Sequence, residues 1–245
     1  MYNFFVKQNE FNNIFEISGT DFNHIKNVLR MKVSEQILVT FNEQTDLCEI
    51  VEFKEDCVVA KILEKNYKES ELPIKIYLFQ GLPKSDKMEL IIQKAVELGV
   101  YKIVPVEMNR CVVKLDAKKK NQKTERYNAI AEAGAKQSKR NVIPTVESVL
   151  TFKEALELAK TLDLFIAPYE SEKGIEGTKT ALSKIKSGMS VGVIIGPEGG
   201  FEDREIEAVK NLGAEVISLG KRILRTETAS ITALSMLMLY AETCL

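Results

Sequence analysis

Two loops hold the side chains whose types and spacing suit chemistry. In "IIGPEGGFEDREI" (194–206) a short apolar run gives way to three glycines and a proline in five residues, with Glu198 among them. Glycine admits positive φ and lets a ligand approach the main chain closely. A strand-to-helix turn is also where open α/β sheets bind their ligands. One β–α unit later, "SLGKRILRTETASI" (218–231) repeats the arrangement with Arg222, Arg225 and Glu227. Taken singly, the first loop can be a tight turn, and Arg225 with Glu227 a surface ion pair. Two polar, glycine-containing loops after successive strands point instead to one shared pocket.

The chemistry open to that pocket is narrow. His24 is the single histidine and lies near the N-terminus, which removes Ser-His-Asp and Cys-His catalysis and any histidine-based metal site. Neither G-x-G-x-x-G nor G-x-x-x-x-G-K-[ST] occurs, which speaks against a dinucleotide dehydrogenase and a nucleotide phosphate site. Proton transfer must therefore use carboxylates, arginine or the ligand itself. Cys48, Cys57, Cys111 and Cys244 form no C-x-x-C pair, against a zinc site or disulfide framework and in keeping with a reducing cytosol. No metal is expected. The N-terminus lacks a basic start followed by an apolar stretch, and "ITALSMLMLYA" is too short to span a bilayer. The expectation is a cytoplasmic protein with no membrane partner.

The elements that must position these residues fall into two regions. Residues 1–70 carry short β-like runs, "QILVTF", "LCEIVEF" and "CVVAKIL", with "HIKNVLRM" (24–31) as the helical piece, which suggests a small β-barrel-like domain. "EKNYKESELP" (64–73) reads as a linker. Over 74–245 apolar strands alternate with helices, the pattern of a parallel sheet covered on both faces. Capping boxes are expected at Asp86/Glu89, Thr151/Glu154 and Glu202/Glu205, a Phe201–Ile206 staple beside the last, and C-terminal stops at Gly99 and Gly213. The final helix, about 227–242, is apolar on nearly every face and should be buried all round, in the domain or against another subunit.

Charge is uneven although the whole chain sums to −1. Segment 110–140 holds ten basic and three acidic residues, an excess that suits a phosphate backbone. Residues 1–72 carry eight basic and thirteen acidic side chains, so that region cannot attract RNA by bulk charge, although "HIKNVLRMK" offers a local basic strip.

Together, "IIGPEGGF", "LGKRILRTETASI", "KMELIIQKAVELGV" and "EAGAKQSKRNVIP" resemble the RsmE family of 16S ribosomal RNA uracil-N3 methyltransferases, which belongs to the SPOUT methyltransferases. The resemblance runs from "HIKNVLRMK" to the last helix. It implies a PUA-like β-barrel over 1–70 that binds RNA and a SPOUT methyltransferase domain over 74–245 with a trefoil knot. It also implies a homodimer, S-adenosylmethionine as methyl donor, and 16S ribosomal RNA, within the 30S subunit, as substrate. Carried over by motif, the cofactor site takes Ile195, Gly196, Pro197, Glu198 and Gly199 from the first loop, and Leu219, Gly220, Ile223, Leu224, Arg225 and Ala229 from the second. His24, Arg30, Lys94, Gln137 and Arg140 are the matching candidates for RNA contact, and Glu97 also falls on a motif position. The chain departs from the family pattern at Glu202, where serine or threonine often caps, at Ser34, where glycine is usual, and in "FNEQTDLCEI", which lacks the usual hairpin glycine.

On that resemblance the reaction is methylation of N3 of one unpaired or extruded uridine, with positioning supplying much of the rate. Arg225 would stabilise charge developing on the uracil. Glu198 first, or Glu227, would accept the imide proton, unless both only shape their loops. The alternatives are a SPOUT enzyme acting on another base or a 2′-hydroxyl, and an RNA-binding protein that has lost the chemistry.

Overall fold

The computed structural model describes residues 1–7, 10–84, 86–170 and 174–245. The chain divides into two compact units, one of residues 1–71 together with 135–142, the other of 72–134 and 143–245.

The first unit is a five-stranded sheet of order β1-β3-β4-β5-β2. Its strands are β1 (Asn3–Phe5), β2 (Ile14–Ser18), β3 (Gln36–Phe41), β4 (Gln44–Phe53) and β5 (Cys57–Glu64). Two register shifts between β4 and β5 mark bulges, which add local twist and wind the sheet into a half-barrel. Its apolar faces close over Phe4, Phe15, Ile17, Ile37 and Ile50. The helical stretch begins earlier than expected: α1 (Gly19–Asn23) leads into a π-helical turn, His24–Val28, and Arg30 at φ +53 ends it.

The β3–β4 hairpin turns through Asn42 and Glu43, at φ +49 and +67, and Ser34 stands at φ +73. The two departures from family glycines thus fall where the backbone is left-handed, which a side chain disfavours by about 1–2 kcal/mol. Glu43→Gly is expected to raise stability by about 1 kcal/mol, read as a higher denaturation midpoint at unchanged slope.

The expected linker is tied down. Glu71 Oε1 accepts the Asn141 N–H (2.9 Å), the Val142 N–H (3.3 Å) and Arg140 Nε (3.2 Å), and its Oε2 pairs with Arg140 Nη2. Asn141 Nδ2 donates to Thr45 Oγ1 (2.9 Å), and Asn3 Nδ2 to the Arg140 carbonyl (3.0 Å). These bonds are why 135–142 belong to this unit.

The second unit is a parallel sheet of order β12-β10-β11-β6-β7-β8, with β9 also on β7. In chain order it runs β6 (Lys75–Gly81), α2 (Lys87–Glu97), β7 (Val100–Glu107), α3 (Ala117–Ser138), β8 (Thr145–Val146), β9 (Leu150–Thr151) and α4 (Phe152–Ala159). Then follow β10 (Leu164–Pro168), α5 (Glu176–Ser183), β11 (Ser190–Ile195), α6 (Asp203–Asn211), β12 (Glu215–Ile217) and α7 (Thr226–Cys244). β11 is buried over Val191–Ile195, as a strand covered on both faces must be.

Helix ends follow the expected signals in part. Thr151 and Glu154 form the full capping box, and Gly99 (φ +84) and Gly213 (φ +89) close their helices. At α6 the Glu202 N–H bonds Glu205 Oε2 at 2.8 Å, and Phe201 and Ile206 share one core cluster. Asp86 makes no side-chain cap at α2; Glu89 is drawn away by Arg126 Nη2 at 2.8 Å, a charged donor that outcompetes a neutral N–H.

α7 is covered on one side within this chain. It packs on α2 and β11 and buries one stripe, Thr226, Ser230, Ala233, Leu234, Leu237 and Ala241, while Leu239 is 59% exposed. A helix lying on one face of a sheet can turn only one side inward, so its second apolar face stays open. Among the described residues no helix is long and apolar enough to cross a membrane.

Candidate active site

Four neighbouring strands, β12, β10, β11 and β6, send their C-terminal ends to one edge of the sheet. The loops leaving them enclose a cavity of about 420 Å³. Lys87 comes from the start of α2, Pro168–Glu170 from the end of β10, Ile195–Glu198 with Gly200 and Phe201 from the end of β11, and Ser218–Arg225 follow β12. Ile195, Gly196, Pro197, Glu198, Leu219, Gly220, Ile223, Leu224, Arg225 and Ala229 all line it, as the two-loop reading expects. Gly199 does not. A Cβ there would stand 2.9 Å from Arg110 Cβ, because the tip of the loop turns toward Arg110, whose Nη1 donates to the Gly199 carbonyl at 2.9 Å. Gly200, at φ +68, takes the lining position instead.

The two carboxylates differ sharply. Glu198 Oε1 accepts the Lys84 N–H at 3.0 Å and Lys87 Nζ at 2.9 Å. Burial pushes its carboxyl up, but the Lys87 ammonium and main-chain N–H groups outweigh burial and hold it below the usual glutamate range. A carboxylate so stabilised is a weak base, which counts against Glu198 as proton acceptor. Glu227 lies behind the cavity wall rather than in its lining: its Oε2 is buried without a hydrogen bond among the described residues and is ion-paired with Lys87 Nζ at 3.4 Å. Lys87 therefore bridges the two, its own ammonium stabilised first by Glu198. Arg225 is the N-cap residue of α7 with an exposed side chain that makes no cap bond.

Beneath the loops lies a buried polar chain. Gln80, fully buried at the end of β6, donates Nε2 to the Gly81 carbonyl (2.9 Å) and to Thr226 Oγ1 (3.0 Å). Thr226 Oγ1 donates to the Gly196 carbonyl (2.7 Å), and Ser230 Oγ shares its one proton between Gln80 Oε1 and the Thr226 carbonyl. Glu205, 2% exposed, spans from the Glu202 N–H to the Asn109 N–H, the latter at 2.9 Å.

The candidates for RNA contact scatter. His24 and Arg30 are exposed, His24 edge-on to the Phe4 ring. Gln137 is exposed, and Lys94 is held by Glu97 at 2.8 Å. Arg140 is only 3% exposed and paired with Glu71, so it braces the first unit. In the basic segment at least five of the ten cations already have a carboxylate: Lys119 with Asp116, Lys120 with Glu107, Arg126 with Glu89, Lys136 with Asp21 and Arg140 with Glu71.

Residues 70–238 match the family model for an RNA methyltransferase domain, and residues 17–63 that for an RNA methyltransferase PUA domain. Ribosomal RNA small subunit methyltransferase E of Bacillus subtilis (strain 168) is 39% identical over 232 residues, covering 93% of this chain and 91% of that protein. The chain belongs to the ribosomal RNA small subunit methyltransferase E family. The family protein of Mesomycoplasma hyopneumoniae (strain 232) is 35% identical over 96% of this chain and 98% of its own. The crystal structure of the family protein from Neisseria gonorrhoeae, bound to S-adenosyl methionine, superposes with a TM-score of 0.83 at 27% identity, over 98% of this chain and 97% of that one. The family motifs led to the lining residues but not to Gln80, Lys87 or Arg110. One signal was present for the first: a glutamine closing an otherwise apolar strand, "IYLFQG".

Proposed function

We propose that this chain transfers a methyl group from S-adenosylmethionine to N3 of a specific uridine in 16S ribosomal RNA. The observation that carries the reading is the cavity itself, glycine-edged, about 420 Å³, and lined by ten of the eleven residues the family resemblance assigns to the donor. The lining fits such a group: apolar walls at Ile195, Leu219 and Leu224 suit an adenine, and main-chain groups at glycines allow close contact. When bound, S-adenosylmethionine supplies an electrophilic methyl carbon. The chain's own residues do the rest. Arg225, exposed at the cavity rim, stabilises charge that builds on the uracil carbonyl oxygens. Glu227, whose Oε2 faces Lys87 Nζ at 3.4 Å, is the remaining carboxylate that could take the N3 proton, relayed through Lys87 or water. Glu198 holds the first loop to Lys84 and Lys87.

The same reading assigns residues 1–70 to RNA contact through His24 and Arg30, with Lys94 and Gln137 shaping the approach, and 74–245 to catalysis in a knotted SPOUT domain. The open face of α7 around Leu239 supports a homodimer, since a second copy offers the same apolar surface. The cytoplasm is the compartment where free cysteines and the 30S subunit meet this enzyme.

The test is titration calorimetry with S-adenosylmethionine, followed by incubation with 30S subunits and mass mapping of the modified nucleoside. Micromolar binding and one 3-methyluridine are expected. A 2′-O-methyl product would move the chain to another acceptor, and binding of RNA without the donor would leave only an RNA-binding protein.

A further inference from the structure

We propose that Gln80 is a positioning residue that fixes both cavity loops in one register through a directional hydrogen-bond chain, and so sets affinity for the methyl donor without touching it. The proposal rests on the donor-site reading above.

The polarity of the chain follows from its ends. The Gly196 carbonyl can only accept, so the Thr226 hydroxyl must donate to it, and Thr226 Oγ1 must then accept from Gln80. The Gly81 carbonyl likewise only accepts, so the Gln80 amide nitrogen has to face both Gly81 and Thr226. That leaves Gln80 Oε1 turned toward Ser230, whose single hydroxyl proton is shared between it and the Thr226 carbonyl. Every hydrogen atom of the Gln80 amide and the Thr226 hydroxyl is thereby committed.

Gly196 opens the first loop and lines the cavity, and Thr226 ends the second and lines it too. Gln80 and Ser230 are fully buried, so water cannot replace the links they make. Glutamine is the residue type the position demands: an amide supplies two donors on one side and an acceptor on the other. An apolar side chain of the same length leaves the Gly81 carbonyl and the Thr226 hydroxyl oxygen without the donor that Gln80 Nε2 supplies. A carboxylate of the same shape sets oxygen against the Gly81 carbonyl.

Two measurements test this. In the first, donor affinity is titrated for Gln80→Met, Gln80→Glu, Thr226→Val, Thr226→Ser and the double variant Gln80→Met/Thr226→Val, each scaled to its folded fraction. Gln80→Met should weaken binding about tenfold to a hundredfold, the cost of stranding one buried partner. Thr226→Ser keeps the hydroxyl and should retain affinity. The double variant should bind no worse than the poorer single one, because one chain is broken twice. KM for RNA should stay unchanged in Gln80→Met, as a defect confined to the donor side requires. Unchanged donor affinity in Gln80→Met, or losses that simply add, would overturn the proposal.

The second measurement needs no donor and separates this claim from the donor-site reading. Amide hydrogen exchange of the unliganded chain should quicken together at 196–200 and 226–229 in Gln80→Met while β7 keeps its protection. Exchange that quickens in only one loop, or in neither, would sink the network even if the intact chain binds donor well. No donor binding by the intact chain, with both loops loosened as expected, would sink the function and leave the network standing.

Discussion

Arg225→Ala is expected to lower kcat for RNA methylation by roughly 10²–10³-fold, the usual loss when one preorganised donor to a developing anion is removed. The protein's stability should hardly move. The Arg225 side chain is exposed and makes no capping bond, and its carbonyl, which receives the Ala229 N–H at 2.8 Å, survives the substitution. Surface truncations of this kind stay within about 0.5 kcal/mol. Single-turnover kinetics at saturating donor, beside a thermal melt, would separate the two effects. Arg225→Lys should restore little, since an ammonium cannot reproduce the planar fork of donors. An unchanged kcat in Arg225→Ala would return the arginine to the rank of a surface charge.

The second large effect is expected at Gly81. A Cβ built there lies 2.7 Å from both the nitrogen and Cδ of Pro197 and 2.8 Å from Met108 Sδ. Methionine can swing away, but Pro197 is ring and backbone at the start of the first loop. Gly81→Ala must therefore push that loop off the end of β6. Overpacking of this kind costs about 1–3 kcal/mol, and donor affinity should fall at least about tenfold, since Gly196 and Glu198 move with Pro197. Gly177→Ala is the matched control. Its added methyl meets nothing nearer than 3.9 Å, and it lies in α5, where alanine gains about 0.5–1 kcal/mol over glycine. Calorimetry on the two variants decides the matter: equal donor affinity would mean that the packing of Pro197 on Gly81 does not set the cavity.

Much of the second unit could be read in the chain. Apolar strands, the Thr151/Glu154 box and the stops at Gly99 and Gly213 are local signals, and the structure honours them because each is satisfied within a few residues. The two loops were legible for the same reason. What escaped depends on distance along the chain. Gln80 meets Thr226 and Ser230 across some 150 positions, and no spacing rule reports such a meeting. Arg140 reads as a nucleic-acid contact until Glu71 is seen to close on it, and Glu89 reads as a cap until Arg126 claims it. In both, a charge on the other side of a loop decided the role. Hydropathy gives how apolar the last helix is, not whether its second face is covered by this chain or by another copy of it.

The pairing of the basic segment has a consequence for ionic strength. A cation already neutralised by a carboxylate brings no net charge to a phosphate and displaces few condensed counterions when RNA arrives. Lys120, Arg126, Lys136 and Arg140 are spent in this way, each inside its own unit. The segment's nominal excess thus overstates its pull, and the salt dependence of RNA binding should be shallower than a count of lysines and arginines suggests. Fitted contacts then carry a larger share of recognition, and these persist at salt concentrations that strip away a merely electrostatic complex.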